Sequence, residues 1–256
     1  RYHMLRLHPF SVAELDVRGK DELLQLLALG GFPEPFLSGS EVQARRWSRE
    51  YRQLLVREEV VSLERIADLG NLELLVLRLP ELVGSPLSIN AVREDLQVSH
   101  KAAANWLDIL ERLYALFRLS PFGAPRIRAV KKEQKHYHTD WSVVPADGPR
   151  FENLVASHLL KWVHYQQDVF GKDLDLRYFR DTDGREVDFV LVERKRPVLL
   201  VECKWGDTEV DRSLRYLKTR FPDAHAWQLS AVGTKDYQTP DGIRVAPALK
   251  LLGSLI

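Results

Sequence analysis

Two apolar runs joined by a charged turn, GREVDFVLVERKRPVLLVECKWG at residues 184–206, leave this part of the chain little conformational choice. Short runs rich in Val, Leu and Phe, bounded by turn residues, read as β-strands, and the ERKR turn folds them back as a hairpin. Both strands end in charge: Glu186 and Asp188 open the first, Glu202 and Lys204 close the second. With the hairpin centred on Lys195, Asp188 lies opposite Glu202 and Glu186 opposite Lys204. Alternation puts these four side chains on one face and Cys203 on the other. Opposed carboxylates roughly 5 Å apart destabilise a sheet unless something compensates them. Mg²⁺ or Mn²⁺, which take oxygen ligands, would do so. Lys204 would then be placed to orient a water or to stabilise charge growing on a phosphate. A surface cluster pairing Lys204 with Glu186 and Glu202 with Arg185 satisfies the same pattern. A one-residue slip in register would separate the two carboxylates.

Around the hairpin the order of elements is legible. A helix (FENLVASHLLKWVHYQ) and a strand (DLRYFR) precede it; a helix (DRSLRYLKTRF) and a strand (AWQLSAVG) follow. The order αβββαβ implies a mixed sheet with helices on its faces. GIRVAPALKLLGSLI reads as a last strand and a tail helix. Upstream, residues 71–119 predict an apolar helix ending at Gly84, then a helix capped by Ser88, then one capped by Ser99. The third helix has apolar positions 103, 106, 107, 110, 113 and 114 on one face. Two short helices joined by a tight turn describe a helix-turn-helix, and the β-rich basic stretch after them describes a wing. Nearer the start, MLRLHPF reads as a strand, DELLQLLALG as a helix and GGFPEPFLSG as a stiff loop. Residues 41–69 read as one long charged helix, a strut or an assembly contact. The organisation is therefore a connector over 1–70, a winged-helix unit over 71–140 and an α/β unit over 145–256, with a boundary in WSVVPADGPR.

Composition removes several classes. The net charge of +1 gives no global pull toward nucleic acid, so any basic surface is local. A single cysteine, Cys203, rules out a disulfide framework within the chain and suits a cytoplasmic setting. No apolar run approaches the ~18 residues a membrane helix needs, so no membrane partner is expected. The chain begins at Arg1 rather than Met, from which a missing upstream portion is expected.

Asp188, then Glu202-Cys203-Lys204 on a hairpin within αβββαβ, resembles the PD-(D/E)xK nuclease superfamily. The resemblance implies a restriction-endonuclease-like fold, with Asp188 and Glu202 as ligands of Mg²⁺ or Mn²⁺ and Lys204 as the catalytic lysine. Glu152, early in the preceding helix, resembles the additional carboxylate that many members place there; a first-turn helix carboxylate favoured by the dipole is the alternative. Across nearly the whole chain, RYHMLRLHPFSVAEL, GGFPEPFL, KHYHTDWSVV, FENLVASHLL, REVDFVLV and VECKWG occur in an order similar to the C-terminal part of a prokaryotic AAA-type ATPase family with an uncharacterised tail domain. That similarity implies an ATPase domain upstream as partner. The chain has no G-x-x-x-x-G-K-[ST] loop, so ATP binding is implied only for such a domain. Nuclease-fold tails can lose activity, so a catalytically inactive DNA- or protein-binding regulatory tail stands beside the DNA-cleaving reading.

Basic residues concentrate in RIRAVKKEQKHYH. Arg126, Arg128, Lys131, Lys132 and Lys135 are expected to follow a DNA backbone, together with Lys101, His100 and Asn105 of the third helix. Asp108 and Glu111 on that helix are expected to repel phosphates. Arg212, Arg215, Lys218 and Arg220 are either phosphate contacts or a solvated helix face. His136, His138 and Asp140 form a second possible metal set, against ordinary hydrogen bonding at a strand edge. Cys203 is expected to be a small core residue. A homo-oligomer through the 41–69 helix is a further expectation.

Overall fold

The computed structural model describes residues 5–60, 68–123 and 134–255, the side chains of 58–60 excepted. Helices α1 (Lys20–Leu29), α2 (Pro33–Ser38) and α3 (Glu41–Leu54) come first, α3 running into a π-helical turn at Leu55–Val60. Next come α4 (Leu69–Arg78), a 3-10 turn (Leu79–Leu82), α5 (Ile89–Asp95), α6 (His100–Arg112), β1 (Leu116–Leu119) and β2 (Lys135–His138). After a 3-10 turn at Trp141–Val143, the long α7 (Asp147–Phe170) leads into β3 (Leu174–Arg180), β4 (Glu186–Glu193) and β5 (Arg196–Lys204). The chain closes with α8 (Arg212–Arg220), β6 (His225–Ser230), β7 (Tyr237–Gln238), β8 (Ile243–Pro247) and α9 (Leu249–Leu252).

This is a mixed α/β structure around a six-stranded sheet in the order β3-β4-β5-β6-β8-β7. The β3–β4–β5 half is antiparallel, while β6 pairs parallel with both β5 and β8. The parallel β5–β6 pair needs a crossover, and α8 supplies it. Alternation buries both faces. Phe189, Leu191 and Val201 join α7 in one core; Val190, Val192 and Leu200 join Leu214 and Leu217 of α8 in another. A third core holds Leu72 and Leu75 of α4, Val92 of α5 and Trp106, Leu107 and Leu110 of α6. Ser88 and Ser99 cap α5 and α6 as the sequence predicts, accepting from Ala91 N and Ala102 N.

The start of the chain departs from expectation in instructive ways. Residues 5–10 form no strand. GGFPEPFLSG contains the helix α2, because Pro33 stands at N1, where its missing N–H has no helical partner to lose. The 41–69 helix changes character at Leu55, and its 61–67 portion lies outside the described residues. Tyr114, expected on the buried face of α6, has φ +56° just past the helix end and is exposed. Leu23, Leu26 and Leu27 of α1 belong to the same core as α7 and the sheet. The WSVVPADGPR stretch is part of that core too: Trp141 is 1% exposed, and its Nε1 donates to Leu26 O at 3.1 Å. Among the described residues no helix is long and apolar enough to cross a membrane.

His158 of α7 anchors the first segment. Its Nδ1–H donates to Leu154 O at 2.8 Å, so its Nε2 is the acceptor for Val12 N–H at 3.0 Å. Burial lowers its pKa to about 4, so the folded chain holds it neutral where the unfolded chain binds a proton. Its contribution is complete above pH 6.5 and is lost as pH falls toward 4. The stability difference between wild type and His158→Gln, from urea unfolding, is expected to shrink by about 3 kcal/mol from pH 7.5 to pH 4. A pH-independent difference would refute this.

Candidate functional site

The β4–β5 ladder pairs Phe189 with Val201, Val190 with Leu200 and Leu191 with Leu199, which is the expected register. It holds for a reason the sequence concealed. The turn itself is one residue tighter, pairing Glu193 with Arg196, and Arg194 and Lys195 take left-handed φ values of 45° and 70°. That is the geometry of a two-residue hairpin turn. An irregularity between Leu191 and Val192 then restores the register before the strands reach their charged ends.

Past the Phe189–Val201 pair, side chains stitch the strands together. Cys203 N–H donates to Asp188 Oδ2 at 2.8 Å, and Asp188 N–H donates to Glu202 Oε2 at 3.3 Å. A second irregularity sets Asp188 and Phe189 opposite the single residue Tyr178 of β3. Asp188 and Glu202 are thus brought together, each bonded to the other strand's backbone.

Their remaining partners separate them. Lys204 Nζ lies 2.8 Å from Glu202 Oε1 and 2.9 Å from Asp211 Oδ2. Asp211 caps α8 by accepting from Ser213 N and Leu214 N, and its own N–H donates to the buried Gln228. On the other side stands Lys135, from β2, with a side chain 0% exposed. Its Nζ is 2.6 Å from Glu186, 3.2 Å from Glu152 and 3.6 Å from Asp188. Glu152 Oε1 also accepts the Tyr137 hydroxyl at 2.7 Å. The other Glu152 oxygen lies against Gly84, whose φ of +91° and missing Cβ leave it room. Glu186 therefore meets Lys135 and Arg180 rather than Lys204. Arg185 pairs with Asp181 and Asp183 rather than Glu202. Neither pairing of the alternative surface cluster forms.

Charge balance differs across the cluster. Burial opposes the Lys135 charge, but Glu152, Asp188 and Glu186 outweigh it and hold its pKa above the ordinary lysine value. Lys204 is likewise held up by Glu202 and Asp211 against its own burial. Burial, with Glu152 and Glu202 adding to it, pushes Asp188 well above the usual carboxylate range. Glu202 is pushed up to about 7 by burial, with Lys204 opposing. Burial also raises the Cys203 thiol, which packs against the core as expected.

The fit to a divalent ion follows from these bonds. An ion held by Asp188, Glu202 and Glu152 needs oxygens free to turn toward it. The Lys135 ammonium sits among Glu152, Glu186 and Asp188, and Glu202 is held by Lys204 and a backbone amide. Among the described residues no group of three or more His, Cys, Asp or Glu is arranged to hold a metal ion. As arranged, these residues do not fit Mg²⁺ or Mn²⁺.

Lys135 is also the clearest correction to the expected DNA surface, being buried and bonded to acids. Arg126, Arg128, Lys131 and Lys132 lie outside the described residues. Lys101, His100 and Asn105 are exposed on α6. Asp108 and Glu111 are not bare: Arg118 binds Asp108 at 2.6 Å and also Glu111. Of the α8 cations, Arg215 pairs with Asp241, and Lys218 donates to the Pro222 and Ala224 carbonyls. Arg220 reaches the Tyr216 hydroxyl, and Arg212 is exposed. His136 bonds Leu79 O, while Asp140 is taken up by Ser48 and Ser142, so these do not form a common metal set with His138. Sequence reasoning passed over Tyr137, Asp211, Gln228 and Asn153, which clamps the His138 backbone through both amide atoms. Asp211 alone carried a signal, as an N-cap residue opening an amphipathic helix.

A family profile described as Domain of unknown function (DUF8612) matches residues 20–147, half of the chain. The chain belongs to that family. A second profile, Domain of unknown function (DUF4143), matches residues 147–251. In this DUF8612 member the two matches meet at Asp147, the first residue of α7. Lys135 falls within the DUF8612 match, while its partners Glu152, Glu186 and Asp188 fall within the DUF4143 match. No curated protein and no solved structure matches the chain.

Lys135→Met keeps the side-chain volume and removes the charge, leaving three carboxylates facing one another. It is expected to lower unfolding free energy by about 3–5 kcal/mol at pH 7.5, and by less at pH 5, where Asp188, held above the usual carboxylate range by burial, binds a proton more readily. Urea titrations at the two pH values measure both effects.

Proposed function

We propose that this chain is a non-catalytic regulatory tail that binds DNA, built from a winged-helix unit and a nuclease-like α/β unit and accompanying an AAA-type ATPase domain. The supporting observation is the Lys135 ammonium, which takes up the carboxylates that would otherwise hold a metal. On this reading the acidic cluster joins the helical and sheet units. DNA affinity comes from the exposed end of α6 with Lys101, and from Arg126, Arg128, Lys131 and Lys132. The tail would transmit DNA occupancy to the upstream ATP-binding domain through the seam that Lys135 closes.

A second reading is a Mg²⁺- or Mn²⁺-dependent DNA phosphodiesterase, with Asp188, Glu202 and Glu152 toward the metal and Lys204 toward the scissile phosphate. The raised Glu202, with Lys204 at 2.8 Å, favours it. It requires the Lys135 ammonium to leave the cluster.

Incubation with single- and double-stranded DNA and millimolar Mn²⁺ or Mg²⁺ separates the two. The proposal expects salt-dependent DNA binding, weakened in a Lys131→Ala/Lys132→Ala double variant, with no cleavage and no rise in melting temperature on adding metal. Metal-dependent cleavage that disappears in both Asp188→Asn and Lys204→Ala would establish the second reading instead. Absence of DNA binding at low salt would overturn the DNA-binding role.

A further inference from the structure

Away from the acidic cluster, α3 lines a cavity of about 530 Å³ with an unusual wall. Arg45, Arg49, Arg52 and Arg57 all border it. The first three follow at i, i+4 and i+7, so the helix places them along one face. Like charges so arranged repel one another, and acids partner some of them but not all. Arg45 has an exposed i,i+4 contact with Glu41, and Arg57 meets Glu73 at 3.0 Å. Arg49 has no partner among the described residues. Arg52 is half-buried, and burial depresses its pKa. Its Nε donates to Ser48 O at 3.2 Å. Asp140, the acid that acts on it electrostatically, already accepts from Ser48 and Ser142.

Apolar residues also line it: Val56, Val76, Leu77 and Val143. Among the described residues that line it, Glu73 is the single carboxylate. The volume suits a ligand of nucleotide size. Guanidinium groups bind phosphate in bidentate fashion, better than they bind a point charge. A chain with a net charge of only +1 has concentrated positive charge here, beside an apolar surface that inorganic anions would not need.

We infer that this cavity binds a phosphate monoester with an apolar or planar organic body of nucleotide size, the phosphate held by Arg49 and Arg52 and the body lying on Val76 and Leu77. The inference does not depend on the reading of the acidic cluster, which lies on other elements.

Calorimetric titration of the 256-residue chain with AMP, adenosine, inorganic pyrophosphate, citrate and a polyglutamate peptide tests it. AMP is expected to bind more tightly than adenosine or pyrophosphate, with affinity falling as salt rises. Arg49→Ala and Arg52→Gln should each weaken AMP binding by about tenfold. Arg46→Ala, on the same helix but outside the cavity, should leave it unchanged. Arg49 is exposed, so its replacement keeps the test valid should Arg52→Gln unfold, which melting temperatures would reveal. Equal binding of pyrophosphate and AMP, or of adenosine and AMP, would overturn the inference. So would an equal loss in Arg46→Ala, which marks diffuse electrostatics. Citrate binding as tightly as AMP would overturn the phosphate assignment. Binding of polyglutamate but not AMP would assign the surface to an acidic protein, and no binding at low salt would end the proposal.

Discussion

One buried ammonium joins acids from α7 and from the sheet to the strand before them. Lys135 stands on a four-residue strand packed between α7 and the main sheet, and its charge is out of reach of solvent. A buried cation is tolerated only where acids and hydrogen bonds replace water. Here the replacements come from two directions, Glu152 on α7 and Glu186 and Asp188 on β4. Lys135, buried at 0% exposure, depends on these acids most. That makes the cluster a condition for docking β2 onto the sheet, with Asn153 fixing the β2 backbone alongside it.

The second half of the cluster follows from strand geometry. Hairpin ladders usually end in water. This one ends under α7 and α8, where backbone N–H groups would go unpaired. Asp188 and Glu202 supply the missing acceptors, each bonding a backbone amide across the strands. The cost is two carboxylates close together in a poorly hydrated place, visible in their raised pKa values. Lys204 and the capped Asp211 offset part of it on the α8 side. The same groups that would make a hydrolytic site thus have structural work, and Lys135 decides how much of their charge is left over.

Much of this was legible in one dimension. The β4–β5 hairpin, the αβββαβ order and the Ser88 and Ser99 caps follow from periodicity and capping chemistry, which act within a few residues. The proximity of Asp188 and Glu202 was legible too, although the expected register survived only because an irregularity at Leu191–Val192 corrected a tighter turn. Lys135 was misread because its neighbours in sequence are basic. Chain proximity grouped it with Arg126 to Lys132, whereas its partners lie 17, 51 and 53 positions downstream. The arginine that pairs with Asp108 and Glu111 comes from β1, another partner that chain proximity does not show.

The sequence alone determined most of the local elements after residue 70, the mixed sheet and the presence of an acidic hairpin mouth, because apolar spacing and turn chemistry depend on near neighbours. Only the tertiary structure decided which cation that mouth faces. Burial strengthens charge interactions by excluding water, and what is buried against what depends on how distant elements pack. The lysine that the sequence put at the DNA surface is, in the folded chain, the cation at the centre of the acids.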